Sequence, residues 1–473
     1  VLQPRDRIFR FNETVFLRLL GVIYLIAFGS LWLQIIGLVG ANGIAPAAEA
    51  MTGMHAYYGW HAYLDIPSLF WFAPNDGGLK VLCGLGCAAA VLLIFGVCPR
   101  SAQGARDTKP VFRTLLRMPA FAAYVLYLSL VSIGEPFTSF QWDALLLETG
   151  FLAIFAGSPL LSLAYRFLLF RLMFESGLVK LTSHDMNWRN LHALRYHFYT
   201  QPLPTPLAYY VQHAPDWLLD SLTLSVLLIE LLAPFFLFLP SRRIRQAAVG
   251  LLVLLQLAIA LTGNYAFFNL LTLALCLWGL DDECYARLKN WRSIFVPRAA
   301  AFVNLAVAAI LTLGVLQIFG LQPSLLEPLE LVNPYGLFAV MTTSRVELIV
   351  EGSDDLVNWR AYSFRYKPGD IRRGLPVVAP YQPRLDWQMW FAALGSPQQN
   401  PWAQSLVYRL LLGQREVLDL LEPAPFIKPP HAIRIQAYSY TFTDSKERRR
   451  DGTIWQRTLL GSWFGPVSAP TGN

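Results

Sequence analysis

Asp143, Glu148, Arg171, Glu175 and Lys180 are the residues with the clearest capacity for chemistry, because all lie in or beside strongly apolar runs. An ionised side chain at the centre of a bilayer costs about 3 kcal/mol on insertion scales, so such groups face a protein interior or a wet cavity and are candidate functional groups. The segments 144–162 and 163–180 predict a helical hairpin turning at Gly157-Ser158-Pro159. Positions equally far from its turn share a depth, which brings Asp143 and Glu148 toward Glu175 and Lys180. Arg171 and Glu175 are one helical turn apart and can pair directly. Glu230, in a separate apolar run, is expected to join the same interior network. Two kinds of chemistry fit this set. One is a buried ion-pair network that locks helices together. The other is a proton-transfer or ligand site in which desolvation lowers the pKa of Lys180 enough for it to act as a base.

The segment 181–216 adds His184, Asp185, His192, His197 and His213. His192 and His197 are five residues apart and no tight carboxylate–histidine spacing accompanies them, so no metal site is expected. Cys83, Cys87, Cys98, Cys276 and Cys284 all fall in or beside apolar runs, and none lies beyond residue 321. They read as small packing residues, and thiol–disulfide catalysis is disfavoured. In Gln201-Pro202-Leu203-Pro204-Thr205-Pro206 three prolines bar a simple helix, so neighbouring protein must support this backbone.

The elements that would position these groups follow from hydropathy. Hydrophobic residues make up 55% of the 473 positions and charged residues only 15%, too few charges for an ordinary soluble fold. Apolar runs at 15–39, 79–98, 119–134, 144–162, 163–180, 217–239, 246–262, 266–280 and 299–320 predict a polytopic helical membrane bundle of about eight or nine spans. Arg5, Arg7, Arg10 and Arg18, the basic loops at 100–117 and 242–245, and Arg287, Lys289, Arg292 and Arg298 mark the cytoplasmic side. This division gives a transmembrane domain over 1–320 and an exported domain over 321–473. The net charge of +7 is explained by this topology, without nucleic acid as a partner.

In the exported half, alternation at 345–351, 359–366 and 432–442 predicts strands of a β-sandwich-like domain, and helical spacing at 385–394 and 402–421 predicts inserted helices. Trp387, Trp390 and Phe391 form an aromatic face there, which either docks a client or packs into a core or against the membrane. Residues 55–73 carry His55, Tyr58, Trp60, His61, Tyr63, Trp71 and Phe72, a pattern shared with interfacial helices.

Several longer motifs resemble one family. Phe140-Gln141-Trp142-Asp143, Phe174-Glu175-Ser176-Gly177-Leu178-Val179-Lys180-Leu181 and Thr200-Gln201-Pro202-Leu203-Pro204 look like the lipase maturation factor family. So do Asn333-Pro334-Tyr335-Gly336-Leu337-Phe338, Phe364-Arg365-Tyr366-Lys367-Pro368-Gly369 and Arg384-Leu385-Asp386-Trp387 in the second half. The resemblance implies a membrane-resident factor that helps secreted lipases or related exported hydrolases fold and assemble, with the exported domain engaging the client. It also implies an endoplasmic reticulum setting in a eukaryote. The cysteine-free exported half and the absence of a retention signal in the last five residues favour instead a bacterial inner membrane with a periplasmic domain. More distantly, Gly177-Leu178-Val179-Lys180-Leu181 is similar to the stretch in which vitamin K-dependent gamma-carboxylases carry their catalytic lysine. That similarity implies an alternative, a membrane enzyme in which Lys180, with Asp143, Glu148 and Glu175 around it, deprotonates a bound quinone or acts on a lipid.

Overall fold

A computed structural model describes residues 10–95, 110–281, 301–321 and 323–468. The basic loops around 100–109 and 287–298, with Cys98 and Cys284, lie outside the described residues.

Long apolar runs become helices wherever they can bury one face and leave the other to lipid. The first part of the chain comprises α1 (Arg10–Trp32), α2 (Ile35–Val39), α3 (Ala47–Tyr58), α4 (Ala62–Asp65), α5 (Asp76–Phe95), α6 (Pro110–Val131), α7 (Gln141–Ala153) and α8 (Leu161–Thr182). Three short helices follow, α9 (Met186–Arg189), α10 (Leu194–Thr200) and α11 (Pro206–Gln212), and then α12 (Asp216–Phe236), α13 (Arg242–Thr262), α14 (Phe268–Cys276) and α15 (Ala301–Ile318). Each of the nine predicted spans contains a helix. Among the described residues five of these helices, α1, α5, α12, α13 and α15, are long and apolar enough to cross a membrane by length and composition. The described residues thus support five spans and do not confirm the predicted eight or nine. α7 has 13 residues and α14 has nine, roughly 20 Å and 14 Å at 1.5 Å per residue, against a hydrocarbon core of about 30 Å. α8 is long enough, but Arg166, Arg171, Glu175 and Lys180 interrupt it.

α1 packs on α5, α5 on α6, α6 on α7, α8 on α12 and α15, and α12 on α13. Leu228, Leu232 and Phe235 of α12 and Leu254 and Leu261 of α13 remain exposed, the apolar outer face expected of helices that meet lipid.

The C-terminal region corrects a second expectation. Its strands β1 (Arg345–Ser353), β2 (Arg360–Ala361), β3 (Ala432–Phe442) and β4 (Trp455–Ser468) form one antiparallel sheet in the order β2-β1-β3-β4. Among the described residues no second sheet faces it, so the domain is not a sandwich. Helices do the covering: α16 (Arg384–Ala392) packs on β1 and α17 (Pro401–Leu411) on β3, followed by α18 (Arg415–Leu418). Leu348 pairs with Ala437 and Val350 with Ile435, which turns Leu348, Val350, Ile433 and Ile435 into the buried face. α19 (Ser445–Asp451) caps the β3–β4 connection through a capping box between Asp444 and Glu447.

Candidate functional site

The two halves meet through buried polar contacts, and the five residues picked out by type and spacing lie at or near this junction. They form three separate groups.

Asp143 stands in the first turn of α7, fully buried, and pairs in bidentate fashion with Arg384 at the start of α16, at 2.8 and 2.9 Å. Tyr127 of α6 donates its hydroxyl to the same carboxylate, and Arg384 also donates to the Phe137 carbonyl at 2.7 Å. Burial alone would lower the Arg384 pKa, but the Asp143 carboxylate outweighs it and holds the guanidinium above its ordinary range. Gln34 extends the contact by accepting from the Arg384 backbone N–H at 2.9 Å and donating to the Gln382 carbonyl at 2.7 Å.

Glu148, one and a half turns further along α7, meets Arg171 of α8 at 2.6 Å, and Arg171 approaches Glu175 at 3.5 Å. The Arg171–Glu175 approach was expected from helical spacing, whereas the Glu148–Arg171 pair was not. The segment after α15 completes this group. The Asn333 and Tyr335 backbone N–H groups donate to Glu148 and Glu175 at 3.0 and 2.8 Å, the Tyr335 hydroxyl donates to Glu148 at 2.9 Å, and Arg171 donates to the Asn333 carbonyl. Burial, followed by the charge of Glu148, pushes the Tyr335 phenol up, so it stays a neutral donor.

Lys180 sits apart from both groups. Its ammonium donates to both oxygens of Glu230 at 2.8 and 3.1 Å and to the Ser176 carbonyl at 3.1 Å, and it lies 5.2 Å from the centre of the Trp188 ring. Its partner is thus on α12, not on α7 as equal depth in the hairpin suggested. Beside this pair is a cavity of about 90 Å³, lined largely by apolar residues such as Met173, Val226, Leu255 and Phe338. Trp142, 4% exposed, also lines it, and its indole N–H has no hydrogen-bond partner among the described residues. His197 faces the same space, and burial, with a smaller contribution from Lys180, lowers its pKa to about 4. It is neutral at physiological pH. Among the described residues no group of three His, Cys, Asp or Glu side chains is placed to hold a metal ion.

Further contacts between the halves gave no signal in the sequence. Arg345 of β1 donates to the carbonyls of Tyr199 (3.0 Å), Gln201 and Pro202 (2.9 Å) and pairs with Glu347, which also holds Lys367 at 2.8 Å. This is the support that the proline-rich segment requires. Asn264, just after α13, donates to the Pro376 carbonyl at 2.9 Å and accepts from Val378 and Ala379 at 2.6 and 3.0 Å. Gly37 of α2 lets the backbone approach α18, since a Cβ there would lie 2.2 Å from the Glu416 carbonyl oxygen.

The aromatic face on α16 is not an open docking surface. Trp387 is buried against Trp142 and Tyr265, with ring centres 4.7 and 5.6 Å away, and the Trp390 indole donates to the Thr200 carbonyl at 2.8 Å. Both tryptophans pack into the bundle, and only Phe391 is exposed. Helical spacing showed that α16 has an apolar face without showing which neighbour covers it.

The chain is therefore an integral membrane protein whose helical bundle is bonded, through a buried ion pair and buried hydrogen bonds, to a C-terminal domain built on one antiparallel sheet. Residues 11–287 match the lipase maturation factor transmembrane domain and residues 331–465 the lipase maturation factor C-terminal domain. Similar proteins include human lipase maturation factor 2, 33% identical over 97% of this chain and 83% of the human one. Chicken lipase maturation factor 2 is 34% identical over 96% and 80%, and bovine lipase maturation factor 1 is 32% identical over 97% and 89%. The chain belongs to the lipase maturation factor family. No solved structure matches it. These relatives are animal proteins, which gives no support to the bacterial inner-membrane setting expected from the cysteine-free exported half and the missing end signal.

Proposed function

We propose that this chain is a maturation factor for secreted lipases, resident in the endoplasmic reticulum membrane, whose aqueous domain engages the client while the bundle holds that domain in a fixed pose. The observation that carries this reading is the buried Arg384–Asp143 pair with its supporting contacts. An ion pair with no solvent exposure, bonded further to Tyr127 and Phe137, does not belong to a domain swinging on a tether. With Trp387 and Trp390 occupied, the client surface lies on the free side of the sheet. β4 is an edge strand with Leu459 and Leu460 more than half exposed, and an unpaired edge of this kind offers backbone groups and apolar contacts to a partly folded chain.

The test is co-expression with a secreted lipase in cells that lack their own maturation factors. The wild-type chain is expected to raise secreted lipase activity at constant lipase mRNA. Leu459→Asp with Leu460→Asp should lose that effect and the co-purified lipase while membrane abundance holds. Unchanged lipase activity with and without the wild-type chain overturns the proposal.

The cavity beside Lys180 favours a second reading, in which a membrane-soluble molecule such as a lipid or quinone binds there. The support is the apolar lining together with the unpartnered Trp142 indole. Mass spectrometry of the purified chain should detect such a molecule, and filling the cavity by Val226→Trp should remove it. A preparation free of bound lipid and quinone refutes this reading.

A further inference from the structure

The connection between α1 and α5 folds as a compact outgrowth with an unusually apolar surface. Tyr57 is 81% exposed, Phe72 86% and Trp60 63%, and Tyr58, Tyr63 and Leu64 are each nearly half exposed. A soluble surface seldom presents so many large apolar side chains together. The outgrowth is nevertheless held firmly. Ala62 and Phe70 are buried, Ser68 donates to the Ser129 carbonyl at 2.7 Å, and the Leu69 N–H donates to the Ser129 hydroxyl at 3.0 Å. Tyr63 and Trp71 pack at 4.6 Å between ring centres and His55 stands 5.4 Å from Tyr63, so the rings form one cluster.

Its height along the bundle is fixed by those bonds to Ser129. That residue is two positions before Val131, the last of α6, or about 3 Å along the axis from the helix end at 1.5 Å per residue. The foot also runs into α5, a helix long enough to span the bilayer, which begins at Asp76 four residues after Phe72; such a helix ends where acyl chains give way to headgroups, the level at which Trp and Tyr are enriched. The exposed rings also continue into the outer face of α5, where Val81, Leu85 and Leu92 are more than half exposed. Between Arg18 and Lys80 there is no lysine or arginine to repel the apolar region or seek the opposite leaflet.

We propose that residues 47–72 are a membrane-embedded foot: the aromatic cluster around Tyr57, Trp60 and Phe72 inserts among phospholipids of the leaflet on the side of the C-terminal domain. Lipid, and not a protein partner, is the occupant because the patch is continuous with the exposed apolar surface of α5, a spanning helix, and sits at the level of its end. The foot is joined to the domain by a short rigid link. α2 lies between α1 and the foot and packs on α18, while Gln34 bonds the Gln382–Arg384 backbone. The foot therefore fixes the height and tilt of the domain above the bilayer.

The experiment places the photoreactive amino acid benzoyl-phenylalanine in the full chain, reconstituted in nanodiscs of palmitoyl-oleoyl phosphatidylcholine. Tyr57→benzoyl-phenylalanine and Phe72→benzoyl-phenylalanine should give phosphatidylcholine adducts by intact mass, as abundant as those from Leu85→benzoyl-phenylalanine on α5. The exposed Val357 of the aqueous domain, substituted the same way, should give none. Adducts at Leu85 without adducts at positions 57 and 72 overturn the proposal. So do cross-links from those two positions to a second copy of the chain in nanodiscs or, when repeated in native membranes, to a lipase.

Discussion

Replacing Arg384 with methionine keeps most of the side-chain bulk and removes the charge that balances Asp143. Both residues are fully buried, and the carboxylate would be left with the Tyr127 hydroxyl alone. Removing one partner of a buried pair costs about 3–5 kcal/mol, because the remaining charge stays out of water. At about 1.4 kcal/mol per tenfold, this is a loss of roughly 10²- to 10⁴-fold in the folding equilibrium. The double change Arg384→Met with Asp143→Leu removes both charges, and an apolar pair of similar volume is often neutral by comparison. What remains is the unpaired Phe137 carbonyl and Tyr127 hydroxyl, each costing about 1–3 kcal/mol. The double variant should therefore be clearly less destabilised than the sum of the two single variants. Reversible unfolding of the purified full chain in mixed detergent micelles, titrated with a denaturing detergent, measures the cycle. A single-variant loss below about 1 kcal/mol, or strictly additive losses, would refute a lock between the halves, since a buried pair of this kind must couple.

Gly37→Ala should destabilise by about 1–3 kcal/mol, the usual cost of overpacking, and speed proteolysis between residues 319 and 344 as α2 and α18 separate. Arg345→Lys cannot grip three carbonyls and Glu347 together, so a loss of about 1.5–3 kcal/mol is expected by the same unfolding assay. Glu330 supplies a pH dependence: burial first, then Glu148, Asp143 and Glu135, raises its carboxyl from 4.5 to about 7. The folded state holds this proton more tightly than the unfolded chain. The associated stability is fully present below pH 4.5 and is lost as pH rises through about 7. Glu330→Gln should flatten the unfolding midpoint over that range, and an unchanged pH profile would exclude Glu330 as its source. His197 works in the opposite sense. With its folded pKa lowered to about 4 from 6.5, its contribution is present above pH 6.5 and lost as pH falls through 4, and His197→Gln should remove that acid-side loss.

The membrane helices were legible because a long apolar run has few other ways to satisfy its backbone in lipid. Their number was not, because α7 and α14 are as apolar as true spans but too short to cross alone. The sheet was visible in the alternation at 345–351 and 432–442, yet alternation reports only that one face is buried. It cannot say whether a second sheet or a pair of helices does the burying, and here α16 and α17 do. Within the site, the approach of Arg171 to Glu175 followed from helical spacing, while the Glu148–Arg171 pair did not. Asp143–Arg384 did not either, since Arg384 lies on an element that local patterns cannot bring near, and Glu230 was expected in the network without Lys180 being singled out as its partner. Arg384 was noticed only as part of a motif, and its role depends on the tertiary fold.

The Asp143–Arg384 pair also has a consequence in time. The two residues are 241 positions apart, and at about 5–20 residues per second a ribosome needs roughly 12–48 s to travel between them. Throughout that interval α7 carries a carboxylate whose countercharge has not yet been synthesised. Release from that state coincides with arrival of α16, while β3 and β4 are still to be made, so the pair closes at the junction of the two halves before the sheet is complete. Pulse-chase lifetimes of chains ending just before and well after residue 384 would show it.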